Sequence, residues 1–294
     1  MIPRPVLVLG PDEQFRAAGL GERLPVLRAE RRRFPDGEQL VIVPGATSLD
    51  GARVLAVQST TAPHDERLET LYQLTDICLE YAASVDCALP YLAYARQDRR
   101  TPGTALSGPL HLRLLGALGV GKVLIVERHS TALRADGIEV VDVDVSHLLA
   151  GPLREQCLPA DVVLSPDAGG SDRAARLARL LGLPHRALHK TKNEDHTWYP
   201  ELPASLAGCA AIVVDDLCTT GSTLVPLLAG LAELGCAVRG VAVTHVPADP
   251  RVIRARLPGS PPLVFTDSAG PHPDAIPVLP TVLNTWLAQP VPAA

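Results

Sequence analysis

Aromatic side chains are scarce in this 294-residue chain: Phe, Trp and Tyr together make up 3% of it, so any large interior is left to Leu, Val and Ala. Charged residues are also few, 20% against 47% apolar, which describes a chain able to bury a large core rather than a disordered one, except at the Pro-rich end "AQPVPAA". There is no excess of positive charge. The net charge of −5 gives no whole-chain reason to bind nucleic acid or an anionic membrane, so an anionic ligand has to be held by a local site. No apolar run approaches 18 residues, and the start "MIPRPVLVLG" is too short and too broken by proline for a signal peptide. The expected location is the cytoplasm. No pair among Cys78, Cys87, Cys157, Cys209, Cys218 and Cys236 has C-x-x-C spacing, and most sit in apolar stretches, as reduced core residues do. Low-complexity segments and short-period repeats are absent as well.

What is present is alternation. Short β-branched runs ("VLVLG", "RVLAVQS", "VDCALPYLA", "KVLIVERH") are separated by amphipathic stretches such as "HDERLETLYQLTDICLEYAA", where Leu68, Leu71, Tyr72, Thr75, Leu79 and Ala82 recur at helical spacing, and "GPLHLRLLGALG". A second cycle runs through "DVVLSPDAGG", "SDRAARLARLLG", "HRALHK", "AAIVVDD", "STLVPLLAGLAELG", "AVRGVAVTHV", "PRVIRARL" and "PLVFTDS". Strands that are apolar throughout belong to parallel sheets covered by helices on both faces. The length suits two such α/β domains of about 100 to 150 residues, read as 1–147 and 148–294 with the junction near residues 145 to 155. In both halves polar residues stand where a strand ends, the edge at which open α/β sheets bind ligands.

The stretch "AIVVDDLCTTGSTL", residues 211–224, reads as a strand ending at Val214, a loop, and a helix. Small residues and hydroxyls before a helix N-terminus make a phosphate cradle. It is not the ATP-binding P-loop, which needs a lysine inside the loop. Asp215 and Asp216 would repel phosphate but suit the vicinal hydroxyls of a ribose, or a Mg²⁺ bridging ribose and pyrophosphate. The simpler alternative is that the hydroxyls cap the helix and the acids serve its dipole.

"VVDDLCTTGST" resembles the phosphoribosyl-pyrophosphate motif of the type I phosphoribosyltransferases. "RRRFPDGEQLVIVPG", "VLAVQSTTAPHDERLETLYQLTD", "ALPYLAYARQDRR", "VERHS" and "VLSPDAGGSDRAARLA" narrow the resemblance to the ribose-phosphate pyrophosphokinase family, from about Arg31 to Asp267. The fold it implies is α/β, two tandem phosphoribosyltransferase-like domains, each a mainly parallel sheet flanked by helices. The N-terminal domain would carry the ATP-binding elements, and the C-terminal one the sugar-phosphate and catalytic loops. The chemistry implied is transfer of the β,γ-pyrophosphoryl group of ATP to the 1-hydroxyl of ribose 5-phosphate, with Mg²⁺ as cofactor.

Carried over residue by residue, the resemblance implies ATP binding by Phe34, Asp36, Gly37, Glu38, Arg96, Gln97 and Arg99, the first four from a neighbouring subunit of a homo-oligomer. It implies a metal site of His129 and Asp167, catalytic Lys190 and Lys192, and sugar-phosphate binding by Asp215, Asp216, Thr219, Thr220, Gly221, Ser222 and Thr223. On the residues alone, Arg96 to Arg100 also reads as a solvated charge run, and His129 as a capped or core histidine. The chain departs from the family at Lys192, where an ammonium replaces a guanidinium and its bidentate grip. Thr219 stands in place of a third acid, and Ser222 in place of a glycine. The pair Trp198 and Tyr199 reads either as local packing or as a platform for a larger acceptor. Alternatives kept open are a pyrophosphokinase with another ribosyl acceptor such as ADP-ribose, and an inactive subunit that binds an active synthetase.

Overall fold

The computed structural model describes residues 3–13, 24–192 and 197–290, and of Lys192 the backbone only. It divides into two compact units.

The first unit is built on a six-stranded sheet. Its strands are β1 (Pro5–Leu9) and β2 (Val26–Arg28), then, after a separate hairpin of β3 (Glu30–Arg33) and β4 (Gln39–Ile42), β5 (Arg53–Val57). Helix α1 (His64–Tyr81) leads to β6 (Ser84–Leu89), and α2 (Ser107–Leu118) leads to β7 (Lys122–Val126) and β8 (Glu139–Val143). The strand order is β2-β1-β5-β6-β7-β8 and every pairing in this sheet is parallel. Interior strands β5 and β7 are buried at every position, and after their first residues, Arg53 and Lys122, they are apolar throughout. Helix α1 turns Leu68, Leu71, Leu74, Thr75 and Cys78 inward at helical spacing, while Tyr72 and Leu79 are only partly covered.

The second unit opens with α3 (Ser146–Cys157), so residues 145 to 155, expected to join the domains, are mostly a helix of the second core, with Leu149, Ala150, Leu153 and Cys157 buried. There follow β9 (Val162–Ser165), α4 (Ser171–Leu181), β10 (His185–Ala187) and the short antiparallel pair β11 (Thr191–Lys192) and β12 (Thr197–Trp198). Then come β13 (Ala210–Leu217), α5 (Leu224–Glu233), β14 (Ala237–His245), α6 (Pro250–Arg256) and β15 (Leu263–Phe265). The parallel order is β10-β9-β13-β14-β15. One face of this sheet packs Leu164, Val213 and Val243 against Leu224, Leu227, Leu228 and Ile253 of α5 and α6. The other packs Val163, Ile212, Val214 and Ala242 against α3 and α4.

The last helix, α7 (Leu279–Leu287), belongs to the first unit, so the units do not follow a linear split at residue 147. It lies against β7 and β8. Trp286, fully buried, donates its indole N–H to Asp86 of β6 at 2.8 Å, and the Arg53 guanidinium sits 4.6 Å from the indole ring centroid and 3.3 Å from the same carboxylate. A buried carboxylate needs such partners. All six cysteines are unpaired, five of them buried. Among the described residues no helix is long and apolar enough to cross a membrane.

Candidate active site

In the second unit the chain leaves β9 for β10 on one side and returns to β13 on the other, so β9 and β13 flank the point where strand order reverses. Loops diverging at the carboxyl ends of two such strands leave a crevice, the usual ligand site of an open α/β sheet. Asp167 follows β9; Asp215 and Asp216 are on β13.

The strand does not stop at Val214 as its sequence implied. β13 outruns β9, whose pairing ends at Val213, and continues along β14 with Asp215 opposite Val243 and Leu217 opposite His245. The two acids are therefore held by strand geometry, beyond the reach of the shorter neighbour. Asp216 is buried and lies 3.9 Å from the Arg173 guanidinium of α4, also buried. Burial, the negative charge of Asp216 and a hydrogen bond with it push the Asp215 carboxyl well above the usual carboxylate range, against the pull of Arg173. Burial and the mutual repulsion of two adjacent carboxylates oppose the ionisation of Asp215.

The loop after β13 turns at Gly221, whose φ of +83° is one that side chains rarely adopt. The Gly221 carbonyl accepts from Val225 N at 2.8 Å, and the Thr220 carbonyl accepts from Arg256 at 3.2 Å. Thr219, Thr220 and Ser222 are exposed ahead of α5, and Thr223 is its N-terminal flanking residue. Thr223 makes no side-chain capping bond to α5, and the Thr220 hydroxyl accepts from Ser222 N at 3.4 Å.

Asp167 accepts from Gly170 N at 3.2 Å and pairs with Lys190, Nζ to Oδ2, at 2.5 Å. Burial raises its pKa, but Lys190 and the backbone N–H groups of Gly170 and Gly169 outweigh burial and hold it below its ordinary value. Lys190 follows β10, and Lys192 lies in β11 in register with Thr197.

In the first unit, Phe34, Asp36, Gly37 and Glu38 form the tip of the β3–β4 hairpin. Phe34 N bonds the Glu38 carbonyl at 2.8 Å, Glu38 N bonds Asp36 Oδ1 at 3.1 Å, and Gly37 has φ +95°. The hairpin is fastened to α1 by Arg31 and Arg33, both paired with Glu66, and Arg31 also reaches Asp12. A groove of ≈ 490 Å³ runs between it and Glu66, Glu69 and Gln73 of α1. This hairpin went unread in the sequence because a run of arginines carries no apolar alternation.

Arg96, Gln97 and Arg99 are exposed on the turn after β6. That turn is anchored from within the same motif. Tyr94 adopts φ +61°, rare for a bulky side chain, accepts from Gln97 N at 2.9 Å through its carbonyl, donates its hydroxyl to Asp65 at 2.7 Å and lies 5.5 Å from the His111 ring. His111 in turn bonds the Tyr72 hydroxyl at 2.6 Å; burial and the charge of Glu69 push that phenol up to about 12. Burial lowers the His111 pKa despite the nearby Asp65 charge. His129 is exposed after β7, next to Arg128, whose backbone N–H donates to Asp142 at 2.9 Å.

Among the described residues there is no cluster of three His, Cys, Asp or Glu side chains able to cage a metal. A Mg²⁺ carried by a nucleotide does not require one, since it keeps several waters and takes one or two protein carboxylates plus phosphate oxygens. Asp167 suits that ion. His129, a nitrogen donor, suits it less well.

Residues 18–119 match the family described as the N-terminal domain of ribose phosphate pyrophosphokinase, and residues 144–256 match the phosphoribosyl transferase domain. The chain is 31% identical to a ribose-phosphate pyrophosphokinase of Saccharolobus solfataricus over 76% of this chain and 78% of that one. It is 29% identical to that of Bradyrhizobium diazoefficiens over 93% and 87%. The crystal structure of phosphoribosylpyrophosphate synthetase from Mycobacterium smegmatis has the same fold, with a TM-score of 0.78, 23% identity and coverage of 97% of this chain and 98% of that one. With both domain descriptions matched in order and a relative above 30% identity, the chain belongs to the ribose-phosphate pyrophosphokinase family.

Proposed function

We propose that the protein transfers the β,γ-pyrophosphoryl group of ATP to the 1-hydroxyl of ribose 5-phosphate, giving phosphoribosyl diphosphate and AMP. The observation that carries this reading is the second unit's carboxyl edge. There Asp215 and Asp216, suited to a ribose diol, stand directly before a glycine-turned hydroxyl loop at a helix N-terminus, and the adjacent strand ends carry the paired Asp167 and Lys190.

In this reading Thr219 to Thr223 hold the 5-phosphate through backbone N–H groups and hydroxyls. Asp215 and Asp216 present carboxyl oxygens that accept from the ring hydroxyls. The 1-hydroxyl oxygen bonds the β-phosphorus, the bridging P–O bond to the α-phosphate breaks, AMP departs, and the hydroxyl proton passes to solvent. Lys190 and Lys192 place positive charge on the transferring group, where negative charge must be stabilised most. Mg²⁺ would be held with Asp167 and His129 as protein ligands, and when bound it supplies charge neutralisation to the triphosphate. The Asp167–Lys190 pair fits this assignment: the lysine serves as the carboxylate's counter-ion in the free protein and is released as substrate arrives.

ATP would be recognised by Arg96, Gln97 and Arg99 together with Phe34, Asp36, Gly37 and Glu38 of a second copy. Support for a homo-oligomer comes from exposed apolar side chains in the first unit: Phe34, Leu40 and Ile42 on the hairpin, and Leu110, Leu114 and Leu118 in line along α2. Single exposed leucines are ordinary; a stripe at four-residue spacing is an interface signal. A cytoplasmic location fits these substrates. The named relatives favour neither the altered acceptor nor the inactive subunit.

The test is AMP formation from ATP and Mg²⁺ with ribose 5-phosphate, with product mass and a control lacking the sugar. A gain of one pyrophosphoryl group on the sugar is expected. AMP formation without ribose 5-phosphate, or only with a larger acceptor, would refute the reading.

A further inference from the structure

Arg173 is a buried charge at the second unit's crevice to which the reading above gives no task. It stands in the first turn of α4, soon after the Asp167 turn, and among the residues that this helix buries (Arg173, Ala174, Leu177, Ala178 and Leu181) it alone is charged. Arg173 is 7% exposed, and its Nη1 lies 3.9 Å from Oδ1 of Asp216, itself 8% exposed. In the alternation of β13, Asp216 falls on the face of Ile212 and Val214, which α4 covers, so strand register brings the acid to the helix.

The surroundings leave room for the guanidinium. A methyl group placed on Gly170 would collide with Ser165 Oγ and come within 3.4 Å of Arg173 Nη1, so the absence of a side chain there clears its path. The same glycine fixes Asp167: Gly170 N donates to Asp167 Oδ1 at 3.2 Å, and Ser165 Oγ donates to the Asp167 carbonyl at 2.8 Å. On the other side, Asp216 N donates to Asp215 Oδ1 at 2.9 Å, so the backbone of the acid paired with Arg173 orients the neighbouring carboxyl. The guanidinium therefore lies between the Asp167 turn and the acid pair, almost wholly covered. Replacing a buried ion pair by apolar side chains of similar volume is often neutral or stabilising, so the stability of the core does not by itself call for a charge at this position.

We infer that Arg173 is a positioning residue for the acceptor sugar: it holds Asp216, and through the Asp216 backbone Asp215, in the arrangement that meets the ring hydroxyls. It acts from beneath the acids and does not touch the substrate. The inference rests on the ribosyl acceptor proposed above.

The experiment uses the full-length protein with Arg173→Gln, which removes the charge but keeps an amide donor, and Arg173→Lys, which keeps the charge without the planar fork. Arg173→Gln is also combined with Asp216→Asn. Rates are measured with ribose 5-phosphate and its 2-deoxy and 3-deoxy analogues at saturating MgATP, on preparations shown by thermal unfolding to be folded. Arg173→Gln should lower kcat/KM for ribose 5-phosphate by about 10- to 150-fold, the range for a hydrogen bond to a charged group. The loss should fall mainly on KM for the sugar, leave KM for ATP unchanged and be smaller in Arg173→Lys. It should shrink for an analogue that lacks a hydroxyl held by the acids, and vanish in the Asp216→Asn background, where Arg173 has no carboxylate left to place. Should Arg173→Gln fail to fold, the same comparison of sugars and backgrounds is made with Arg173→Lys. A kcat/KM for ribose 5-phosphate within about threefold of wild type, an equal loss on all three sugars, or the same loss in the Asp216→Asn background would each overturn the inference and leave the acceptor reading standing. Wild-type protein with no turnover of ribose 5-phosphate would remove the acceptor reading and this inference together.

Discussion

Replacing Lys190 with Met removes the ammonium but keeps most of the aliphatic stem, and the structure indicates where the loss should fall. In the free protein Nζ lies 2.5 Å from Asp167 Oδ2, with the lysine side chain 25% exposed and the aspartate side chain 36%. Ion pairs this open to water contribute roughly 0 to 1 kcal/mol. Tm should therefore fall by a few degrees at most. If Lys190 holds charge developing on the transferring group, the rate should behave quite differently: losing one preorganised donor costs about 10²- to 10³-fold in kcat, or ~2.7 to 4 kcal/mol. The expected pattern is thus a large fall in kcat, a small change in KM for ATP and a nearly unchanged Tm. Lys190→Arg, which keeps the charge with a different shape, should retain more activity than Lys190→Met. Steady-state AMP formation and thermal unfolding on the same preparations decide the matter. A kcat within about threefold of wild type would refute the assignment, and so would a rise confined to KM for ATP.

Three further outcomes are expected. Asp215 has a raised pKa in the folded protein, so the native state keeps a proton that the unfolded chain releases near pH 4, and its contribution to stability falls as pH rises from there through the folded pKa. Asp215→Asn should gain on wild type over that window in urea unfolding; parallel pH curves would contradict the raised Asp215 pKa. Phe34→Ala should raise KM for ATP by about 5- to 150-fold, the loss of one base-stacking contact of ~1 to 3 kcal/mol, with little change in kcat. If Phe34 acts from a second copy, the effect should be reversed in part by mixing with a variant defective at Arg96, and an absence of such complementation would place both groups within one chain's site. Trp286→Ala should destabilise the protein by about 3 to 5 kcal/mol, because it empties a fully buried site and deprives Asp86 of its indole donor; a cost below ~1 kcal/mol in urea unfolding would mean that α7 is not an integral part of the first unit.

Features that depend on neighbours along the chain are legible in the amino-acid order. Parallel strands covered on both faces must be apolar throughout, so β5, β7, β9 and β13 could be read from their composition. Helices α1, α4 and α5 showed their inward faces by spacing. The hydroxyl loop, the paired acids before it and the ordered motifs around them were local enough to carry a family resemblance that the domain matches and relatives support. Features that depend on residues far apart in the chain are set by packing. Trp286 and Asp86 meet across 200 positions and return the last helix to the first unit. Arg173 meets Asp216 because α4 packs under the end of β13. Asp215 belongs to the strand because β14 is longer than β9, a fact about the neighbours rather than about "VVDD". Tyr94, Asp65, His111 and Tyr72 form one support for the Arg96 turn although they come from two helices and a loop. Trp198 and Tyr199 adjoin in sequence, yet Trp198 is exposed while the Tyr199 ring packs, half-buried, on the second core. Local pattern says which face of an element is apolar, but which polar group ends up without a partner is settled only when the elements are packed together.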